Sequence, residues 1–169
     1  GLMLQGPPGR GKSHMLAAFA NRFTEMGMVV AFVNVTDLLA LLRAGYDTES
    51  HLERLRMFAS KSIEILILDD LGASKPTAWA EEQIYTIIDT RLREKRPIFV
   101  STNCSEDELK KQFHERIPSR LHEACDWIEV GGADYRLLKG HRFENEGVRE
   151  SGPTRRREGP QAPGWNGKR

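Results

Sequence analysis

The chemistry of this chain starts at Gly6-Pro7-Pro8-Gly9-Arg10-Gly11-Lys12-Ser13, a full match to G-x-x-x-x-G-K-[ST]. Glycines at this spacing let successive backbone N–H groups turn inward on phosphate oxygens, and a helix starting at Lys12 adds the partial positive charge of its N-terminus. Lys12 then reaches the β and γ phosphates of a nucleoside triphosphate, and the Ser13 hydroxyl takes one position on Mg²⁺. The nucleotide-holding set is Gly6, Pro7, Pro8, Gly9, Arg10, Gly11, Lys12, Ser13 and His14, with ATP and Mg²⁺ as the implied cofactors.

A second group lies further along, in Ile65-Leu66-Ile67-Leu68-Asp69-Asp70. Two carboxylates end a buried strand there, at the sheet edge where open α/β folds bind ligands. Asp69 is placed to hold Mg²⁺ through water. Asp70 points differently because strand side chains alternate, and is the candidate general base for the attacking water. On its own, an apolar run ending in Asp-Asp is equally a strand closing on turn-forming residues; the phosphate loop upstream favours the catalytic reading. Ser101-Thr102-Asn103 ends another apolar run, where a polar side chain would bond the γ-phosphate or the water if that strand lies between the other two. Asn also suits a plain strand-to-turn signal, and both readings stand.

These groups need a scaffold, and residues 1–138 supply its pattern. Short apolar runs alternate with longer amphipathic stretches, the signature of a mostly parallel sheet with helices on both faces. Strands are expected at 2–5, 28–34, 63–69, 97–102 and 126–130, with continuous rather than alternating hydrophobicity. Helices are expected at 12–26, stopped by Gly27, at 36–43 with Thr36 as N-cap, at 50–60, at 77–95 ahead of Pro97, and at 105–112 and 118–124.

Composition bounds the rest. The 169 residues carry a formal net charge of +1, so global charge says little about partners. No apolar run approaches the roughly 20 residues of a membrane span, which excludes a membrane protein of that kind. Two cysteines, Cys104 and Cys125, form neither a disulfide scaffold nor a zinc pattern, and the expected compartment is the reduced cytoplasm. The opening Gly1-Leu2-Met3, without an initiator Met at position 1, reads as a fragment of a longer protein. Residues 139–169 are basic, rich in Gly and Pro and poor in branched apolar side chains, so they are expected to form a disordered tail. Its Arg155-Arg156-Arg157 run is read as solvated rather than nucleic-acid binding.

Taken together, GPPGRGKS, ILILDDLGA, FVSTNCSEDEL, ERIPSRLHE and ADYR resemble, in order and spacing, the AAA+ ATPases of the DnaC/DnaI helicase-loader type, over roughly residues 1–138. The resemblance implies a five-stranded parallel sheet of order 5-1-4-3-2, with Asn103 as sensor 1 between the phosphate loop and Asp69. It implies that Arg120 is the arginine finger reaching a neighbouring subunit's nucleotide in a ring or spiral, with Arg116 as second candidate, and that Arg136 is the sensor 2 arginine of its own subunit. Spacing alone favours a solvated helix face for Arg116 and Arg120, with Glu115 and Glu123 as partners. Asp69-Asp70 departs from the Asp-Glu of many relatives, and the shorter second carboxylate predicts slow turnover.

The function implied is an ATP-dependent loader whose partners are a replicative hexameric DNA helicase, single-stranded DNA and further copies of itself. The alternatives are an IstB-type ATPase assisting a transposase, which shares the phosphate loop and the terminal Tyr-Arg, and a nucleotide-binding adaptor with little hydrolysis. Residues 36–62 correspond to the extra helical element with which initiators and loaders touch single strands. Arg43, Tyr46, His51, Arg54, Arg56, Phe58 and Lys61 suit a groove for phosphates and stacked bases, while the leucines interleaved with them suit a core.

Overall fold

Strand β1 (Leu2–Gln5) runs into the phosphate loop, and helix α1 (Lys12–Glu25) leaves it. There follow β2 (Val30–Asn34), α2 (Val35–Arg43), α3 (Glu49–Ala59), β3 (Ile65–Leu71), α4 (Ala78–Arg93), β4 (Ile98–Thr102), α5 (Glu106–Phe113), α6 (Arg116–Ala124) and β5 (Asp126–Glu129). The structure is a computed structural model that describes residues 1–44, 49–60 and 62–137. The expected tail, and with it Arg155-Arg156-Arg157, lies outside the described residues, as do Tyr46 and Lys61.

All four strand pairings are parallel, and the spatial order is β2-β3-β4-β1-β5, the order the resemblance implies read from its other edge. Alternation within β3 sends Leu66 and Leu68 to the main core with α2, α4, α5 and α6, and Ile65 and Ile67 to the opposite face under Leu16 of α1. Both faces of this central strand are thus buried, which is why its sequence reads as an unbroken apolar run.

The element boundaries follow local chemistry. Helix α4 starts at Thr77, whose hydroxyl accepts from Ala80 N–H, and α5 starts with a capping box in which Ser105 and Glu108 satisfy each other's backbone donors. Helix α2 departs from expectation. Its N-cap is Asn34, whose side chain accepts from Thr36 N–H at 2.8 Å, so Thr36 lies inside the helix. Asn34 ends β2 in an extended conformation and is already placed to cap, so strand and helix adjoin without a linker.

One buried cation ties the lower end of the sheet together. Arg91 of α4 is 0% exposed and donates to the carbonyls of Phe58, Ile63, Glu64 and Pro97 at 3.0 to 3.2 Å. Burial, with Arg96 nearby, pushes it down to about 10, so it remains a cation at neutral pH.

Candidate functional site

The phosphate loop turns back on itself through Gly6, Gly9 and Gly11, all with positive φ. At Gly9 (φ +77°) the need for glycine is twofold: the backbone is left-handed, and a β-carbon would lie 2.0 Å from a carboxylate oxygen of Asp134. The loop is held from that side. Tyr135 N–H donates to the Gly9 carbonyl at 3.0 Å, the Arg10 guanidinium donates to the Gly132 carbonyl, and Asp134 Oδ1 accepts from Arg136 N–H at 2.9 Å.

Lys12 is 6% exposed, and its ammonium donates to Gly6 O at 2.6 Å, Pro7 O at 2.8 Å and Asn103 Oδ1 at 2.7 Å. Burial lowers its pKa most. Asp70 and Asp69 pull it up, while Arg136 and Arg10 push in the same direction as burial. Asn103 Nδ2 in turn donates to Asp70 Oδ1 at 2.7 Å, so one amide links the ammonium to the second carboxylate.

Asp69 Oδ1 accepts from Ser13 Oγ at 2.9 Å and from Ser101 Oγ at 2.5 Å. Strict alternation would send Asp69 and Asp70 to opposite sheet faces. The structure brings both to one cleft, because the pairing of β3 with β4 slips between Leu68 and Leu71 and Asp70 takes a left-handed conformation (φ +62°). Aspartate tolerates that region better than most side chains, and the bulge re-aims its carboxylate. The Ser101 hydroxyl also accepts from Asp70 N–H at 2.9 Å, so it steadies both acids.

The cleft holds about 850 Å³ and is lined by Pro8, Gly9, Arg10, Gly11, Lys12, Ser13, His14, Asp69, Asp70, Ser101, Asn103, Tyr135 and Arg136, with Gly131 to Ala133 at its rim. Of the expected site residues, Gly6 and Pro7 do not line it but reach it through their carbonyls on the Lys12 ammonium, and Arg120 lies away from it. Arg120 sits on α6 beside a smaller depression lined by Tyr85, Glu115, Arg116 and Ser119. Glu123 is its partner, as spacing suggests; Glu115 is not, and the other carboxylate is Asp89 of α4. Arg116 lies over the Tyr85 ring, 4.1 Å from its centroid.

The described residues of 36–62 serve packing more than the sequence suggests. His51 and Phe58 are buried, Arg54 donates to the Leu41 carbonyl at 2.7 Å, and Arg43, though exposed, stacks on Trp79 at 5.0 Å, while Arg56 is exposed as well. Leu38 and Leu42 are buried in the core and Leu39 and Leu55 pack against it, drawing these neighbours with them. Sequence reasoning missed the bracing by Asp134 and Tyr135, because a short Gly-Gly-Ala-Asp-Tyr stretch after the last strand carries no periodic signal. Ser101 was within reach as part of a polar strand end.

The family model described as IstB-like ATP binding protein matches residues 1–142. The replicative helicase loader DnaI of Bacillus subtilis is 36% identical over 114 residues, covering 67% of this chain and 36% of that protein. The replicative helicase loader DnaC of Escherichia coli K12 is 26% identical over 135 residues, covering 79% of this chain and 55% of that protein. The chain therefore spans between about a third and just over half of these relatives. Among solved structures, the crystal structure of DnaI superposes with a TM-score of 0.69 at 27% identity, covering 80% of this chain and 72% of that one. The DnaC helicase loader gives a TM-score of 0.69 at 24% identity and 77% coverage of both chains, a likeness of fold.

Proposed function

This chain belongs to the IstB-like ATP binding proteins, and we propose that it is the ATPase part of a loader that helps place a hexameric replicative helicase on single-stranded DNA in the cytoplasm. The observation that carries the enzymatic half is the Lys12–Asn103–Asp70 chain of hydrogen bonds, each 2.7 Å long. It links a phosphate-binding cation to a carboxylate beside the loop. The loading half rests on the likeness to DnaI and DnaC.

On ATP binding, Lys12 exchanges the Gly6 and Pro7 carbonyls for the β and γ phosphates, and the backbone N–H groups from Gly9 to Ser13 take the phosphate oxygens. Ser13 Oγ and Asp69 Oδ1, 2.9 Å apart, are hard oxygen donors that fit Mg²⁺, which prefers a few protein ligands completed by phosphates and water. When bound, that ion would spread the charge of the phosphates. Asp70 accepts the proton of the attacking water, Asn103 fixes the orientation of Asp70, and Arg136 contributes positive charge from the cleft wall. Arg120 is too remote for its own cleft, and acts on the nucleotide of a neighbouring copy, so a ring or spiral is the working form. Arg56, with Arg54 and Lys61, supplies phosphate contact for a single strand.

The test measures ATP hydrolysis by the full chain with and without single-stranded DNA, alongside helicase delivery onto a closed single-stranded circle. Slow hydrolysis, loading that needs ATP and loss of both in Lys12→Ala are expected. Nucleotide affinity unchanged in Lys12→Ala overturns the site; hydrolysis without any delivery, but with stimulation by a transposase, favours the IstB-type alternative that the family model also covers.

A further inference from the structure

Arg120 is bonded to two carboxylates that differ in every physical respect. Asp89 projects from α4 with a side chain 18% exposed; its Oδ1 takes Arg120 Nε at 3.2 Å and its Oδ2 takes Arg93 Nε at 3.0 Å. It is therefore bonded from both sides and, unlike Glu123, largely shielded from water. Glu123 lies one turn further along α6 with a side chain 59% exposed, and takes Arg120 NH1 at 2.9 Å. Tyr85, Glu123 and Asp89 together hold the guanidinium above its ordinary pKa.

A guanidinium recognises a phosphoryl group through the parallel donors of one edge. With Nε taken by Asp89, the NH1–NH2 edge is the one left for an outside group. That edge is the one Glu123 covers. An exposed ion pair within one helix is weak in water and exchanges at little cost, whereas an anchored, mostly buried carboxylate is not easily displaced. Arg116 lacks this arrangement: it rests on the Tyr85 ring and reaches Glu82 only at 3.6 Å, with both side chains 58% exposed.

We propose that Asp89 is a positioning residue that aims Arg120 at the nucleotide of a neighbouring subunit, while Glu123 is the competitor that Arg120 gives up on engagement. The inference rests on the reading that Arg120 acts between subunits. It predicts opposite signs for two conservative changes at carboxylates bonded to one arginine.

The experiment mixes full-length subunits in the presence of single-stranded DNA. An Arg120→Ala acceptor binds ATP, and a Lys12→Ala donor binds none but offers Arg120, so all hydrolysis reports the donor's arginine. Adding Asp89→Asn to the donor should lower kcat by about tenfold or more with KM unchanged, because a misaimed group fails only in the transition state. Adding Glu123→Gln should raise kcat about two- to threefold by removing the competitor, the size of a weak exposed pair. Equal rates with the Asp89→Asn donor, or a lower rate with Glu123→Gln, overturn the proposal. Should Asp89→Asn fail to fold, Glu123→Gln decides alone. If the plain Lys12→Ala donor co-assembles yet activates nothing, the reading between subunits falls; if it activates and the two donors move together, only the division of roles between Asp89 and Glu123 falls.

Discussion

Replacing Arg91 by methionine keeps most of the stem volume and removes the fork that serves four carbonyls. Each of these acceptors, those of Phe58, Ile63, Glu64 and Pro97, loses its bond at 3.0 to 3.2 Å in a site with 0% exposure. A buried polar group left unpaired costs about 1 to 3 kcal/mol; the Pro97 carbonyl keeps Leu66 N–H at 3.4 Å, so the other three give a gross loss of about 3 to 9 kcal/mol. Against this, burial drags the arginine well below its ordinary value, to about 10, a desolvation penalty of about 3 kcal/mol that the variant no longer carries. Partial entry of water trims the upper end, and a net loss near the middle of the remaining range, about 2 to 4 kcal/mol, is expected. For a domain of this size the midpoint of thermal unfolding should fall by about 10 °C. Urea unfolding followed by tryptophan fluorescence measures the difference at unchanged slope. Arg91→Lys should fall between parent and Arg91→Met, because three rotatable donors on one nitrogen cannot span four carbonyls. ATP affinity below the midpoint should stay within about twofold, since these carbonyls lie at the opposite end of the strands from the phosphate loop, too far to couple strongly. A loss under about 1 kcal/mol in Arg91→Met would mean that the four bonds only offset desolvation, and would refute the reasoning.

Asp70→Asn should bind ATP like the parent and lose hydrolysis, since the amide fills the space without accepting a proton; full turnover would show that another group activates the water. Ser101→Ala removes the hydroxyl shared by Asp69 Oδ1 and Asp70 N–H, and kcat should drop about tenfold with ATP affinity nearly unchanged, as for other residues that orient ligating carboxylates. An unaltered kcat would leave Ser101 a purely structural role. Removing charge at Arg54, Arg56 and Lys61 together should weaken single-strand binding and flatten its dependence on salt, with little change in sequence preference. Titration of a labelled oligonucleotide at several salt concentrations checks this, and parental binding at low salt would reduce residues 36–62 to core and partner surface. Within that triple, Arg54 should contribute least, because its guanidinium already serves the Leu41 carbonyl at 2.7 Å.

The phosphate loop, the paired aspartates and the five strands were legible because their signals are local. A glycine pattern sets the loop's own backbone, and an apolar run long enough for one strand is buried wherever that strand goes. Strand order came through the resemblance, since periodicity does not say which strands are neighbours. Tertiary structure decided what the side chains meet. Asp70 joins Asp69 in one cleft only because β3 slips against β4 and the chain turns left-handed there, a feature of pairing between strands that lie 31 residues apart at the Ser101 bond. Asn103 becomes a link rather than a turn residue because its strand lands between those of the loop and the aspartates. Among the arginines, residue type was silent: Arg91 is sealed on carbonyls, Arg54 caps a helix end, Arg136 lines the cleft and Arg120 is held by two acids on its far side. A guanidinium has the same charge in all four places, and only the partners that folding brings to it determine whether it packs, caps, binds or reaches outward.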